Sequence, residues 1–167
     1  MGRSLNDAVA MRSQQYAAQF GDLNARAIAV VDGCGDDEWP LPSVEAGRSE
    51  AVVAYHIAEV QRAFDRMLAA LAAGETYTPT VSAEEIDARN ALHAVEQAGV
   101  GKAETLGLLQ THGAAIAATL HGLDDDTLGR FAGTFGGHEM TVAQVVEWIV
   151  IGHTAEHLAS IETVLAA

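Results

Sequence analysis

The sequence predicts an all-α protein, a single-domain antiparallel four-helix bundle over residues 1–167, and three observations predict it. Alanine is the commonest residue, and proline occurs only three times. Apolar residues recur at spacings of three, four and seven, whereas β-branched alternation is nearly absent. Helix-capping signals divide the chain into four helical units, and at 167 residues one domain with its own core is the natural expectation. That core is read as mostly Ala, Val, Leu and Ile, because 49% of residues are hydrophobic but only 5% aromatic.

The first helix is expected from Ser4 to about Asp32. Its inner stripe reads Leu5, Val9, Tyr16, Phe20, Leu23, Ala27 and Val30, and it stops at Gly33-Cys34-Gly35. After a loop carrying Trp39, Pro40 and Pro42, Ser49 stands as N-cap of the second helix, with Glu50 in the first turn where an acid suits the helix dipole. This helix runs to about Ala73 before Gly74. Its stripe is Val52, Val53, His56, Ile57, Val60, Phe64, Met67, Leu68 and Leu71.

Ser82 and Glu85 form a capping box that opens a third unit, broken or kinked at Gly99-Val100-Gly101 and resuming from Lys102 to about Leu120. One helix and two are equally compatible with this pattern. The stretch through Asp124-Asp125-Asp126 and the glycines at 133, 136 and 137 reads as a loop, the acidic run being solvated and lacking calcium-loop spacing. Thr141 and Gln144 form a second capping box. The last helix, to about Leu165, then aligns Val142, Val146, Ile149, Val150, His153, His157, Ile161 and Val164 on one face.

Nine Lys+Arg against 23 Asp+Glu leave a net charge of −14, which argues against nucleic acid and anionic membrane as partners. Cys34 is the only cysteine, so an intramolecular disulfide, an all-cysteine zinc site and a CxxC pair are excluded. The N-terminus shows no apolar signal region. The most hydrophobic window, Val142 to Ile151, is interrupted by Gln144 and Glu147, well short of the roughly 20 residues of a spanning helix. A cytoplasmic protein is expected.

His153 and His157 lie one turn apart, about 40° round the last helix on its apolar face, and His56 lies on the apolar stripe of helix two. Each alone reads as a core histidine hydrogen-bonded to a neighbour. Three together in a small Ala-rich core leave several polar atoms to satisfy, at about 1–3 kcal/mol each if unmade, and one shared metal ion satisfies all of them. The expected site is therefore one divalent metal on His56, His153 and His157 with a position left open.

The string His153 to His157 also reads H-x-x-E-H, but only Glu162 follows as an acid, so the inverted zinc-protease motif is set aside. Glu156 is the candidate proton carrier, with a solvated carboxylate as the alternative, and Glu59 shares that ambiguity. His93, His112, His121 and His138 are read as surface or helix-end residues, and Trp39 and Trp148 as packing.

The stretches DDEWPLPSVEAGRSEAVVAYHIAEV (36–60) and GGHEMTVAQVVEWIVIGHTAEHLASIE (136–162), the AAGE segment at 72–75 and Asn90 in a D-x-x-N resemble the DinB-like superfamily, in particular the branch related to mycothiol-dependent maleylpyruvate isomerases. The resemblance spans nearly the whole chain and implies an up-down-down-up bundle. It also implies a zinc or nickel ion on one histidine of helix two and a pair in helix four, positions that fall on His56, His153 and His157. A low-molecular-weight thiol such as mycothiol or bacillithiol would bind the open position, and a small electrophile would be the second substrate.

Two departures bear on the reaction. Gly47-Arg48 stands where the isomerase branch tends to have a second tryptophan, and His153 stands where it has a glutamate, so the all-histidine set is nearer the thiol-transferase side. Two functions follow. One is a metal-dependent thiol S-transferase or isomerase. The other is a non-catalytic metal-binding bundle whose acidic surface serves a partner protein or a homodimer.

Overall fold

The structure is a computed structural model that describes residues 5–45, 47–79 and 82–166. Four helices come first: α1 (Leu5–Gly33), α2 (Glu50–Ala72), α3 (Ala83–Glu96) and α4 (Lys102–Gly122). A short helix α5 (Asp125–Gly129) and two strands, β1 (Phe131–Phe135) and β2 (His138–Thr141), lead to a final helical run. That run comprises α6 (Val142–Gln144), a π-helical segment (Val145–Ile151) and α7 (Gly152–Leu165). Ser4 and the side chains of Leu5 and Val9 lie outside what is described. Among the described residues, no helix is long and apolar enough to cross a membrane.

The expected caps form. Ser49 accepts from the Val52 amide, and the boxes Ser82–Glu85 and Thr141–Gln144 are both reciprocal. The unit that the glycines at 99 and 101 left open is two helices, α3 and α4, separated by a turn in which Val100 accepts from Trp39 Nε1 at 2.9 Å. Helix α4 packs on both α1 and α2, while α7 packs on both α2 and α1, so the four long helices share one apolar interior. Phe20, Leu68, Leu71, Ile116, Leu120 and Val150 fill one end and Ala27, Val53, Ile57, Leu109, Leu158 and Ile161 the other.

A buried polar clasp joins three of these helices. Asn24 of α1 donates to the Leu109 carbonyl at 3.1 Å and accepts from Gln61 of α2 at 2.9 Å. The clasp requires Gly113, because a Cβ there would come within 2.0 Å of the Asn24 amide nitrogen.

The segment expected to be loop is ordered differently. Asp124 accepts from the Thr127 amide at 2.8 Å and caps α5, and β1 and β2 form an antiparallel hairpin. Gly136 (φ 56°) and Gly137 (φ 83°) make its two-residue turn, in which left-handed backbone matches the twist of the strands. Gly133 (φ 148°) sits where the chain after α2 crosses β1; the Tyr77 amide donates to Ala132 O at 2.7 Å, and a Cβ on Gly133 would fall 1.7 Å from Tyr77 O. The hairpin thereby ties the start of the last helix to the end of α2.

Candidate metal centre

The amphipathic stripe of α2 turns His56 inward. The last helix carries His153 and His157 toward it from the first turns of α7. Just before them, Val145–Ile151 winds as a π-helix, whose extra residue per turn resets which side chains face the core. The Tyr16 hydroxyl of α1 donates to Glu147 on this segment. Trp148 on the same segment is 58% exposed, so the packing role expected of it is not what the structure shows; Trp39 is part-buried against the core.

The three histidines converge. One nitrogen from each lies within 4.8 Å of the other two, and ring centroids are 5.3 Å (56–153), 5.0 Å (56–157) and 4.3 Å (153–157) apart. Phe64 meets His153 edge-on at 5.5 Å and walls off one side. His157 donates its Nδ1 proton to Glu45 Oε1 at 2.6 Å, which leaves Nε2 as the nitrogen with a free lone pair. Glu45 Oε2 takes Arg48 Nη1 at 2.7 Å, so the carboxylate is held from both ends.

Electrostatics keep two of the three rings neutral. Burial, then repulsion from His153 and His157, lowers the His56 pKa to about 3; burial, then His157, lowers that of His153 to about 4. Neutral imidazole is the form that ligates metal. His153 Nδ1 is buried with no hydrogen-bond partner, an orphan of the kind that a shared cation satisfies. The donor set therefore fits a borderline divalent ion with three protein ligands.

Two neighbours were not foreseen from sequence. Glu45 sits in the loop before α2 and reaches His157 across 112 positions of chain, a contact no local pattern announces. His93, expected at a surface, instead donates to Glu59 Oε2 at 2.8 Å, stacks on Tyr55 at 5.7 Å and sets its edge 6.0 Å from His56. Glu156 is exposed and makes no hydrogen bond among the described residues. The carboxylate that touches the histidines is Glu45.

Glu50 adds a second acid near this loop. It is 1% exposed, neither carboxylate oxygen has a partner, and burial, reinforced by Glu45, raises its pKa to about 7. An acid raised in the folded state contributes stability below its unfolded pKa and loses it as pH rises toward the folded value. Glu50→Gln is therefore expected to stabilise the protein at pH 8 by about 1–3 kcal/mol, with a smaller gain at pH 5. Urea midpoints at the two pH values check this, and an equal gain at both contradicts it.

With this geometry established, comparison places the chain among known proteins. The sequence profile described as the DinB superfamily matches residues 19–161. Two solved structures superpose with TM-score 0.70. The crystal structure of the mycothiol-dependent maleylpyruvate isomerase is 12% identical, and a histidine-to-alanine mutant of that enzyme is 11% identical. Each match covers 89% of this chain and 60% of the other, so the chain spans about three fifths of the length of those enzymes. At such identity the likeness is one of fold. No curated protein matches the chain.

Proposed function

The chain belongs to the DinB superfamily, and from that premise we propose that it is a divalent-metal-dependent enzyme joining a low-molecular-weight thiol to a small electrophile, as an S-transferase or isomerase. We read its four long helices as the up-down-down-up bundle of that family. The observation that carries the proposal is the cluster of three converging histidines, two of them held neutral by burial, with an orphaned buried nitrogen.

His56, His153 and His157 would hold the ion. When bound, the ion supplies a charge that lowers the pKa of a thiol from its ordinary value of about 8.5 and so provides thiolate at neutral pH. The remaining work belongs to the protein. Glu45 fixes the His157 ring and its tautomer, and Arg48 holds that carboxylate in place. Phe64 excludes water from the His153 side. Glu156, exposed beside His157 in sequence, offers the thiol proton an outlet to solvent.

The sulfur comes from outside the chain. Cys34 is buried, and burial pushes its thiol pKa up, which favours the unreactive protonated form. Mycothiol, the thiol named for the structurally similar isomerase, and bacillithiol are the first candidates.

Metal removal tests the proposal. Chelated protein is expected to lose thiol conjugation, assayed with a panel of thiols and a chromogenic electrophile, while its helical circular dichroism persists. Collapse of the helical signal on chelation points to a structural ion instead, and undiminished conjugation overturns metal dependence.

A further inference from the structure

Beside the histidine cluster the surface opens into a cleft of about 290 Å3 between α2 and α3, whose wall includes His56, Glu59, Arg62, Arg66, Arg89 and His93. The chain has nine Lys+Arg against 23 Asp+Glu, yet three of those nine converge here. Arg62 is held by Glu59 at 3.2 Å. Arg66 donates only to the Arg62 carbonyl, at 3.3 Å, and neither Arg66 nor Arg89 forms an ion pair among the described residues. Glu85, one turn before Arg89, feels the Arg89 charge but is hydrogen-bonded into the capping box with Ser82. In a protein with so large an excess of acids, two guanidinium groups without an ion-pair partner, in a cleft whose carboxylate, Glu59, is already engaged by Arg62 and His93, leave an anion position open beside a candidate reaction centre.

A second cavity adjoins the first. It has a volume of about 420 Å3 and an apolar lining that includes Phe64, Met67, Tyr77, Ile86, Phe135 and Ile149. Ala63 borders both cavities, and Phe64 also touches His153. A cationic site, an apolar site and the histidine cluster therefore meet around one turn of α2.

We propose that the electrophile taken by this site is an amphipathic anion, with a carboxylate at Arg66 and Arg89 and an apolar body of about aromatic-ring width in the neighbouring cavity. This rests on the reading of the histidine cluster as a thiol-conjugating centre and names the class of its second substrate. Planar guanidinium groups match a carboxylate in a bidentate manner, and they supply orientation while the apolar wall supplies most of the burial. A cationic substrate would meet three arginines; a neutral one would leave Arg66 and Arg89 unused.

The test is calorimetric titration of the metal-loaded protein with 4-phenylbutyrate, 4-phenylbutan-1-ol and 4-phenylbutylamine, which share one body and differ in the head. The acid is expected to bind about tenfold more tightly than the alcohol, and the amine not detectably. In the Arg66→Gln/Arg89→Gln double variant the acid's advantage should vanish while the alcohol's affinity stays. Ile86→Ser should weaken acid and alcohol alike, by about fivefold. Equal affinity of acid and alcohol, no binding of any probe, or an advantage that survives in the double variant overturns the anion position. An unchanged affinity in Ile86→Ser overturns the apolar one. Titrating His153→Ala separates the two readings: the head-group preference should persist there while metal content and conjugation are lost. Wild-type protein that takes up no metal and shows no conjugation yet keeps the preference contradicts the thiol-conjugating reading alone.

Discussion

His157→Ala is expected to abolish thiol conjugation, whereas Cys34→Ser leaves it near the wild-type rate and Glu156→Gln lowers it only in part. His157 is the one histidine of the cluster with a carboxylate behind it, so its removal deletes a ligand and strands Glu45 beside Arg48. The loss should exceed the about 100-fold that removing an outer partner of a metal ligand can cost. Cys34 lies buried at the end of α1 with its thiol aimed at the Gly35 carbonyl, a structural placement. Steady-state rates for the three variants, with circular dichroism to confirm folding, give the answer. Turnover that survives His157→Ala and disappears in Cys34→Ser means a protein-thiol mechanism.

Glu45→Gln should weaken metal affinity about 10–100-fold without unfolding the protein. The 2.6 Å bond to His157 Nδ1 holds the ring in the tautomer whose Nε2 lone pair is free, and a carboxylate raises the basicity of that nitrogen. Glutamine retains an accepting oxygen but no charge, and it can turn its amide toward the ring. Competition with a chromogenic chelator measures the change. Unaltered affinity would mean that the loop contact is incidental to the site.

Much of the scaffold was legible because its determinants are local. Ser49, Ser82 and Thr141 announce helix starts through bonds that span three residues, and the stripe on α2 reads out its buried face directly. The positions of the three histidines, one on α2 and two on α7, followed from the same periodicity. The hairpin did not, although its Gly136-Gly137 turn is a recognised signal. Strands of five and four residues, one of them interrupted by a bulge near Gly133, show too little alternation to stand out from a loop.

The π-helical segment has no signature in the spacing of Val145–Ile151, since every residue there is compatible with an α-helix; packing against Tyr16 and the core selects it. Glu45 and His93 were missed for a different reason. Both reach the site from elements distant in sequence, 112 and 34 positions from the residues they bond, and a contact of that range depends on the assembled fold.

Metal stoichiometry tests the central claim most directly. Protein purified without a histidine tag, and without added metal, should contain about one equivalent of zinc or nickel per chain by elemental analysis. His56→Ala, His153→Ala and His157→Ala should each fold, by circular dichroism, and each lose that metal. Wild-type protein devoid of metal and unable to take it up, or folded variants that each retain a full equivalent, would contradict a three-histidine metal centre.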